Sequence, residues 1–256
     1  AFDKKVKAME NLKKYSKHKN TIMCCVARGI NDKNMPDLIQ FCHDRRSYIK
    51  FLHCIPLTET WEEGEFEADA STTTEDVEEI LDEAFPGEQL EFIPAGISDH
   101  FKQPAQFFGV FKFKFGGAHP NCESAAVLVS DGERYLPLSH YLKISQDEIC
   151  EELVSRCEDL RPKLNKLDPE KKWGRLRGRL AIMRTFVPLL FKAVSMKKLF
   201  KGNRFWSILK VLGGLCIGRK LKTQLRKHSN AHDVMLTIVL PFEEYHSVES
   251  ARLQNC

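Results

Sequence analysis

Two short constellations in this chain have the residue types for chemistry. The first is Gly116-Gly117-Ala118-His119-Pro120-Asn121-Cys122, where two glycines free the backbone and His119 and Cys122 can both reach a metal ion or a substrate. The second is Arg28-Gly29-Ile30-Asn31-Asp32, a charged turn directly after an apolar run. Read locally, it is a turn in which Gly29 supplies a backbone angle that other residues resist and Asn31 or Asp32 caps the next helix. Nine cysteines stand at 24, 25, 42, 54, 122, 150, 157, 216 and 256. Cys24, Cys25, Cys42 and Cys54 lie in apolar runs and are expected to be small buried hydrophobes. Cysteines without regular pairing, and no signal sequence, indicate a reducing and therefore cytoplasmic compartment.

The elements around the charged turn read clearly. Residues 21–26 form a short apolar run with β-branched ends, the signature of a buried strand. Residues 36–43 place Leu38, Ile39 and Cys42 on one face of a helix. Residues 48–55 are a second apolar run, closed by Pro56. Strand, helix and strand within roughly forty residues make a βαβ unit whose strands should be parallel neighbours. Before it, residues 2–15 put Val6, Met9 and Leu12 on one helical face. No strand precedes that helix, so the expectation is a part of a larger enzyme, or a half-sheet completed by something else.

A helix, a strand running into Val26-Ala27-Arg28-Gly29-Ile30-Asn31-Asp32, a helix, and a strand ending in Ile55-Pro56-Leu57 resembles the second half of a radical S-adenosylmethionine barrel, over residues 2–61. The resemblance implies that Arg28 and Asn31 lie near the methionine or ribose part of S-adenosylmethionine, and Ile55, Pro56 and Leu57 near its adenine. That family holds its [4Fe–4S] cluster on C-x3-C-x2-C, and no three of these cysteines have that spacing. The cluster ligands are therefore expected outside this chain, which should not perform radical chemistry alone. In the parent enzyme the resemblance implies reductive cleavage of S-adenosylmethionine to a 5′-deoxyadenosyl radical and hydrogen abstraction from an unactivated carbon, leading to methylation or C–C bond formation. The His119–Cys122 loop and the hairpin after it resemble a segment in the branch that includes tetraether lipid synthase. By that resemblance Cys122 is a ligand of an auxiliary cluster, and Cys256 is the first of a cysteine set continuing past this chain. The residues also allow a different class, a cluster-free binding or membrane-surface protein with a degenerate half-barrel.

Charge is strongly segregated although the formal net charge is only +4. Residues 62–100 hold 14 acidic residues and no lysine or arginine. Within them a helix is expected to start at Thr73 or Thr74, without a clean capping box, to bury Val77, Ile80, Leu81 and Ala84, and to end at Pro86-Gly87. Alternation over 107–115 predicts a half-buried strand, and 125–129, a turn at Ser130-Asp131-Gly132 and 135–138 predict a β-hairpin. Residues 161–229 hold 20 basic residues and two acidic ones. Helices are expected over 189–199 and 205–217, each with an apolar face and basic edges. No apolar run reaches the ~18–20 residues of a membrane span. Residues 173–226 suit an anionic membrane surface or lipid substrate, or else a core-packing insert with a solvated rim. They carry no nucleic-acid recognition motif. Residues 235–240 return to strand character.

The fold class expected is α/β: the carboxyl-terminal part of a partial (β/α)6 radical-SAM barrel over 1–61, an acidic linker and helix over 62–105, and an α+β extension over 106–256 with a basic helical segment at 161–228.

Overall fold

The computed structural model describes residues 2–15, 19–57, 72–109, 123–200, 202, 206, 207, 210 and 221–241. Helix α1 (Phe2–Tyr15) lies mostly in solvent, with Val6 and Met9 half-buried. The first apolar runs form β1 (Asn20–Val26) and β2 (Ile49–Pro56), joined by α2 (Met35–Asp44). Pro36 sits in the first turn of α2, where a missing N–H forfeits no helical bond. β1 and β2 are parallel neighbours, with Thr21 opposite Phe51 and Val26 opposite Pro56, as the βαβ spacing predicts.

The sheet is completed by strands from far along the chain. β6 (Asp233–Val239) lies parallel beside β2. β4 (Ser124–Ser130) runs antiparallel beside β6. The short β3 (Ile93–Pro94) pairs with the start of β4, and β5 (Tyr135–Pro137) with its end, both antiparallel. The result is an open, mixed sheet ordered β1-β2-β6-β4-β3, with β5 also on β4. The protein is thus mixed α/β, and one continuous sheet spans the expected boundaries at 61/62 and 105/106.

One face of this sheet holds the main core. Leu52, Cys54, Ala126, Leu128, Met235 and Val239 are covered there by α2 and by α3 (Thr74–Glu83), which contributes Val77, Ile80 and Leu81. α3 does have a capping box, contrary to expectation. The cap is Thr73, one of the two expected starts: its Oγ1 accepts from the Asp76 N–H (3.1 Å) while the Asp76 carboxylate accepts from the Thr73 N–H (2.8 Å).

Helices α4 (Lys102–Gln106), α5 (Gln146–Leu164) and α6 (Lys172–Ala193) form a helical layer, while α7 (Met196–Leu199) packs through Leu199 beside Val129, Leu136 and Tyr141, and α8 (Leu221–His228) precedes β6. Phe107, Leu160, Leu164 and Ile182 form the layer's own buried cluster. Two expectations meet the structure here. Phe107–Gly109, the described part of the strand expected over 107–115, is a turn after α4 that buries Phe107 among α5 and α6, and 110–115 lie outside the described residues. The helix expected over 189–199 is interrupted at Val194 and Ser195, where Val194 bridges to Leu142. The β4–β5 hairpin is as expected, its turn held by Asp131 accepting from the Glu133 and Arg134 N–H groups. Among the described residues no helix is long and apolar enough to cross a membrane.

Candidate functional site at the carboxyl ends of the parallel strands

β1 and β2 stop side by side, and the Leu57 N–H donates to the Val26 carbonyl at 2.8 Å. The charged turn after β1 therefore stands against the Ile55-Pro56-Leu57 end of β2. Gly29 has φ +78°, the left-handed region, with open space around it. Asn31 accepts from the Ala27 N–H through Oδ1 (2.9 Å) and donates through Nδ2 to the Cys25 carbonyl (2.8 Å). Asp32 accepts from the Gly29 and Lys33 N–H groups at 3.0 and 2.9 Å. Those N–H groups, Gly29 first, hold the Asp32 carboxyl below its ordinary range.

Arg28 reaches across to α3. Its guanidinium donates to Asp76 Oδ1 (Nη2, 3.0 Å) and to Glu79 Oε2 (2.5 Å), and its backbone N–H donates to Thr72 Oγ1 (3.0 Å). The Glu79 and Asp76 bonds raise its already high pKa. The Asp76 carboxyl is held low, chiefly by the Thr73 N–H. The structure thus gathers Arg28, Asn31, Ile55, Pro56 and Leu57 in one place. The polar atoms of Asn31 shape its own turn, and the guanidinium of Arg28 ties that turn to α3. Ile55 and Leu57 are half-buried and Pro56 is buried.

The second face of the sheet opens beside this cluster. Register puts Met23, His53, Ile238 and Ala125 in one row across β1, β2, β6 and β4, opposite to the face under α2 and α3. On it Met23 and Cys25 are exposed, and Phe51, His53 and Ile55 are half-buried. Toward β3 the face deepens into an apolar hollow lined by Ile97, Ala125, Leu236 and Ile238, with Glu123 among its lining residues. Sequence reasoning missed His53, although its place two residues before Ile55 on a period-2 strand puts both on one face. Burial lowers its pKa against an opposing pull from Glu123, so the imidazole is neutral at pH 7. Its ring meets Phe51 edge-on, centroids 6.3 Å apart. Among the described residues no group hydrogen-bonds to the ring, which leaves His53 able to take or give a proton at this face.

The thiols separate by face. Cys42 and Cys54 are buried as expected, and burial pushes Cys42 up to about 12 and Cys54 higher still. Cys24 is half-buried and Cys25 is exposed, because alternation on β1 turns Cys25 to the open face. Among the described residues no group of three or more His, Cys, Asp or Glu side chains could hold a metal ion. His119, Cys122, Cys216 and Cys256 lie outside the described residues.

A second polar group sits near the opposite ends of the parallel strands. Lys50 Nζ lies 2.8 Å from Asp233 Oδ2, which Arg226 also pairs with at 2.5 Å. Nearby, His43 Nε2 is 2.8 Å from Ser130 Oγ, with the Tyr135 ring edge-on at 4.9 Å. A serine beside a histidine matches nucleophile and base in distance, but both side chains are sealed in the core, so the pair is structural. No family model matches this chain, and no curated protein matches it either.

Proposed function

We propose that this chain is the carboxyl-terminal part of a radical S-adenosylmethionine barrel with an α+β extension. The observation that supports this most is the meeting of the Arg28–Asp32 turn with Ile55-Pro56-Leu57 at adjacent strand ends, beside a sheet face that α2 and α3 leave uncovered. Ligands of parallel α/β folds bind outside the carboxyl ends of the strands.

The described residues do not fit an iron–sulfur cluster, since no thiolate set converges among them and the buried thiols stay protonated. In this reading the cluster's ligands lie elsewhere. The adenine end of S-adenosylmethionine fits the half-buried apolar surfaces of Ile55 and Leu57. Arg28 and Asn31 act as positioning residues, fixing the loop that borders the pocket. Such a cofactor, when bound, supplies a carbon-centred radical for hydrogen abstraction from an unactivated carbon. The chain's own share is to orient the cofactor and substrate and to keep water from the open face, where His53 and Cys25 stand.

The test uses the polypeptide encoded together with the region upstream of Ala1, reconstituted anaerobically with iron and sulfide. Reduction with S-adenosylmethionine present is expected to release 5′-deoxyadenosine, and Ile55→Asp to lower its yield by about tenfold, a loss of roughly 1.4 kcal/mol. An upstream region without C-x3-C-x2-C, or no 5′-deoxyadenosine, would leave the chain as a binding protein with a degenerate half-barrel.

A further inference from the structure

Helix α6 carries apolar residues on two sides, and the protein buries only one. Gly178, Ile182, Leu189 and Ala193 are turned inward, Ile182 within the cluster formed with Phe107 and α5. Trp173, Leu176, Leu180, Met183 and Leu190 follow one another at steps of three, four, three and seven residues along another side, and they are 46–71 % exposed. Val187, half-buried, fills the longer step. At 1.5 Å per residue the line from Trp173 to Leu190 is about 25 Å long.

Cations border this line. Arg177 and Arg184 are exposed and lie three residues before and four residues after Leu180, so they share its side of the helix. Among the described residues neither has an ion-pair partner. The other cations of α6 include several held within the protein: Arg175 by the Pro169 carbonyl, Arg179 by the Phe107 carbonyl, and Lys192 by Glu148 and Glu152. α6 contains no acidic residue, and the surrounding residues 161–229 hold 20 basic residues against two acidic ones.

We infer that this side of α6 lies on an anionic lipid surface. The apolar line enters the boundary between headgroups and acyl chains, Trp173 sits at the level of the headgroups, and Arg177 and Arg184 meet lipid phosphates. A second copy of the chain is a poorer occupant: paired α6 helices would bring together apolar lines bordered only by cations, with no carboxylate on either helix to neutralise them. The inference stands apart from the radical-enzyme reading, since it uses neither the strand ends nor a cofactor.

The full chain is mixed with vesicles of phosphatidylcholine, or of phosphatidylcholine with about 30 % phosphatidylserine, and floated on a density gradient. At low salt about tenfold more protein is expected with the anionic vesicles, and roughly 0.5 M salt should remove most of that difference. Leu180→Glu with Met183→Glu, both at exposed positions, should abolish flotation while leaving the circular-dichroism spectrum and thermal midpoint unchanged. Arg177→Glu with Arg184→Glu should remove the preference for anionic vesicles. Equal recovery with both vesicle types, recovery with neither, or flotation that survives the Leu180/Met183 change overturns the inference. A dimer in light scattering that the same change dissolves, without vesicle binding, overturns it in favour of a second copy.

Discussion

At the residue scale, the best-specified contacts are short polar locks around the strand ends. Thr73 and Asp76 cap α3 reciprocally, and Asp76 also holds Arg28. Replacing the cap hydroxyl, Thr73→Ala, should cost about 0.5–2 kcal/mol in chemical unfolding, whereas Thr73→Ser should be close to neutral. His43 gives a second, pH-dependent expectation. Burial, then Arg46, lowers its folded pKa below the ordinary 6.5, against weaker opposite pulls from Asp44 and Asp131. The unfolded chain therefore binds a proton first as pH falls. The contribution of a neutral His43 is complete above 6.5 and is lost progressively as pH drops below it toward the folded value. His43→Gln can keep a bond to Ser130 without titrating. Its unfolding free energy should fall less steeply between pH 6.5 and 5, by up to about 1.4 kcal/mol per pH unit, in urea titrations across that range. An unchanged slope would mean that His43 does not titrate differently in the two states.

At the element scale, the helical layer depends on how closely α6 approaches Phe107. Phe107 is fully buried, and a methyl group on Gly178 would fall within its ring. Phe107→Ala should cost about 3–5 kcal/mol by removing a buried aromatic. Gly178→Ala should cost about 1–3 kcal/mol through overpacking, although alanine is the better helix former. Guanidinium-induced unfolding of each variant checks both values. A stabilised Gly178→Ala protein would show that the ring can move aside. α1 stands at the other extreme, since its side chains are nearly all in solvent. Deleting residues 1–15 should shift stability by less than about 1 kcal/mol, because little apolar area leaves the core.

At the scale of the whole molecule, one mixed sheet integrates segments that are distant in sequence. β2, β6 and β4 are central, flanked by neighbours on both edges, and their helix-covered residues form the main core. Their amides should be the slowest to exchange in hydrogen–deuterium exchange, while those of α1 should exchange first. Protection in α1 equal to that of β6 would contradict its solvent-exposed position. The two faces of the sheet also divide the labour. One is closed by α2 and α3, and the other, with Met23, Cys25 and His53, faces the candidate site.

Local chemistry made β1, α2, β2, the β4–β5 hairpin and β6 legible in the sequence, because short apolar runs bounded by turn residues and a 3.6-residue apolar spacing mark such elements, although β1, expected to be buried, is an edge strand with Thr21, Met23 and Cys25 exposed. The pairing of β1 with β2 was legible too, since a βαβ unit leaves few alternatives. α5 also carried a readable start in Ser145, whose side chain accepts from the Glu148 N–H three residues on. Other features were settled only by tertiary structure. Placing β6 beside β2 is a contact across some 180 residues, and nothing local encodes it. Phe107 alternates like a strand residue yet turns into the helical cluster, because burying one ring there outweighs a local preference. Most of all, sequence could assign Arg28 and Asn31 to a strand end but not say what their polar atoms touch. That depends on α3 arriving from 48 residues away and on the turn folding back upon itself.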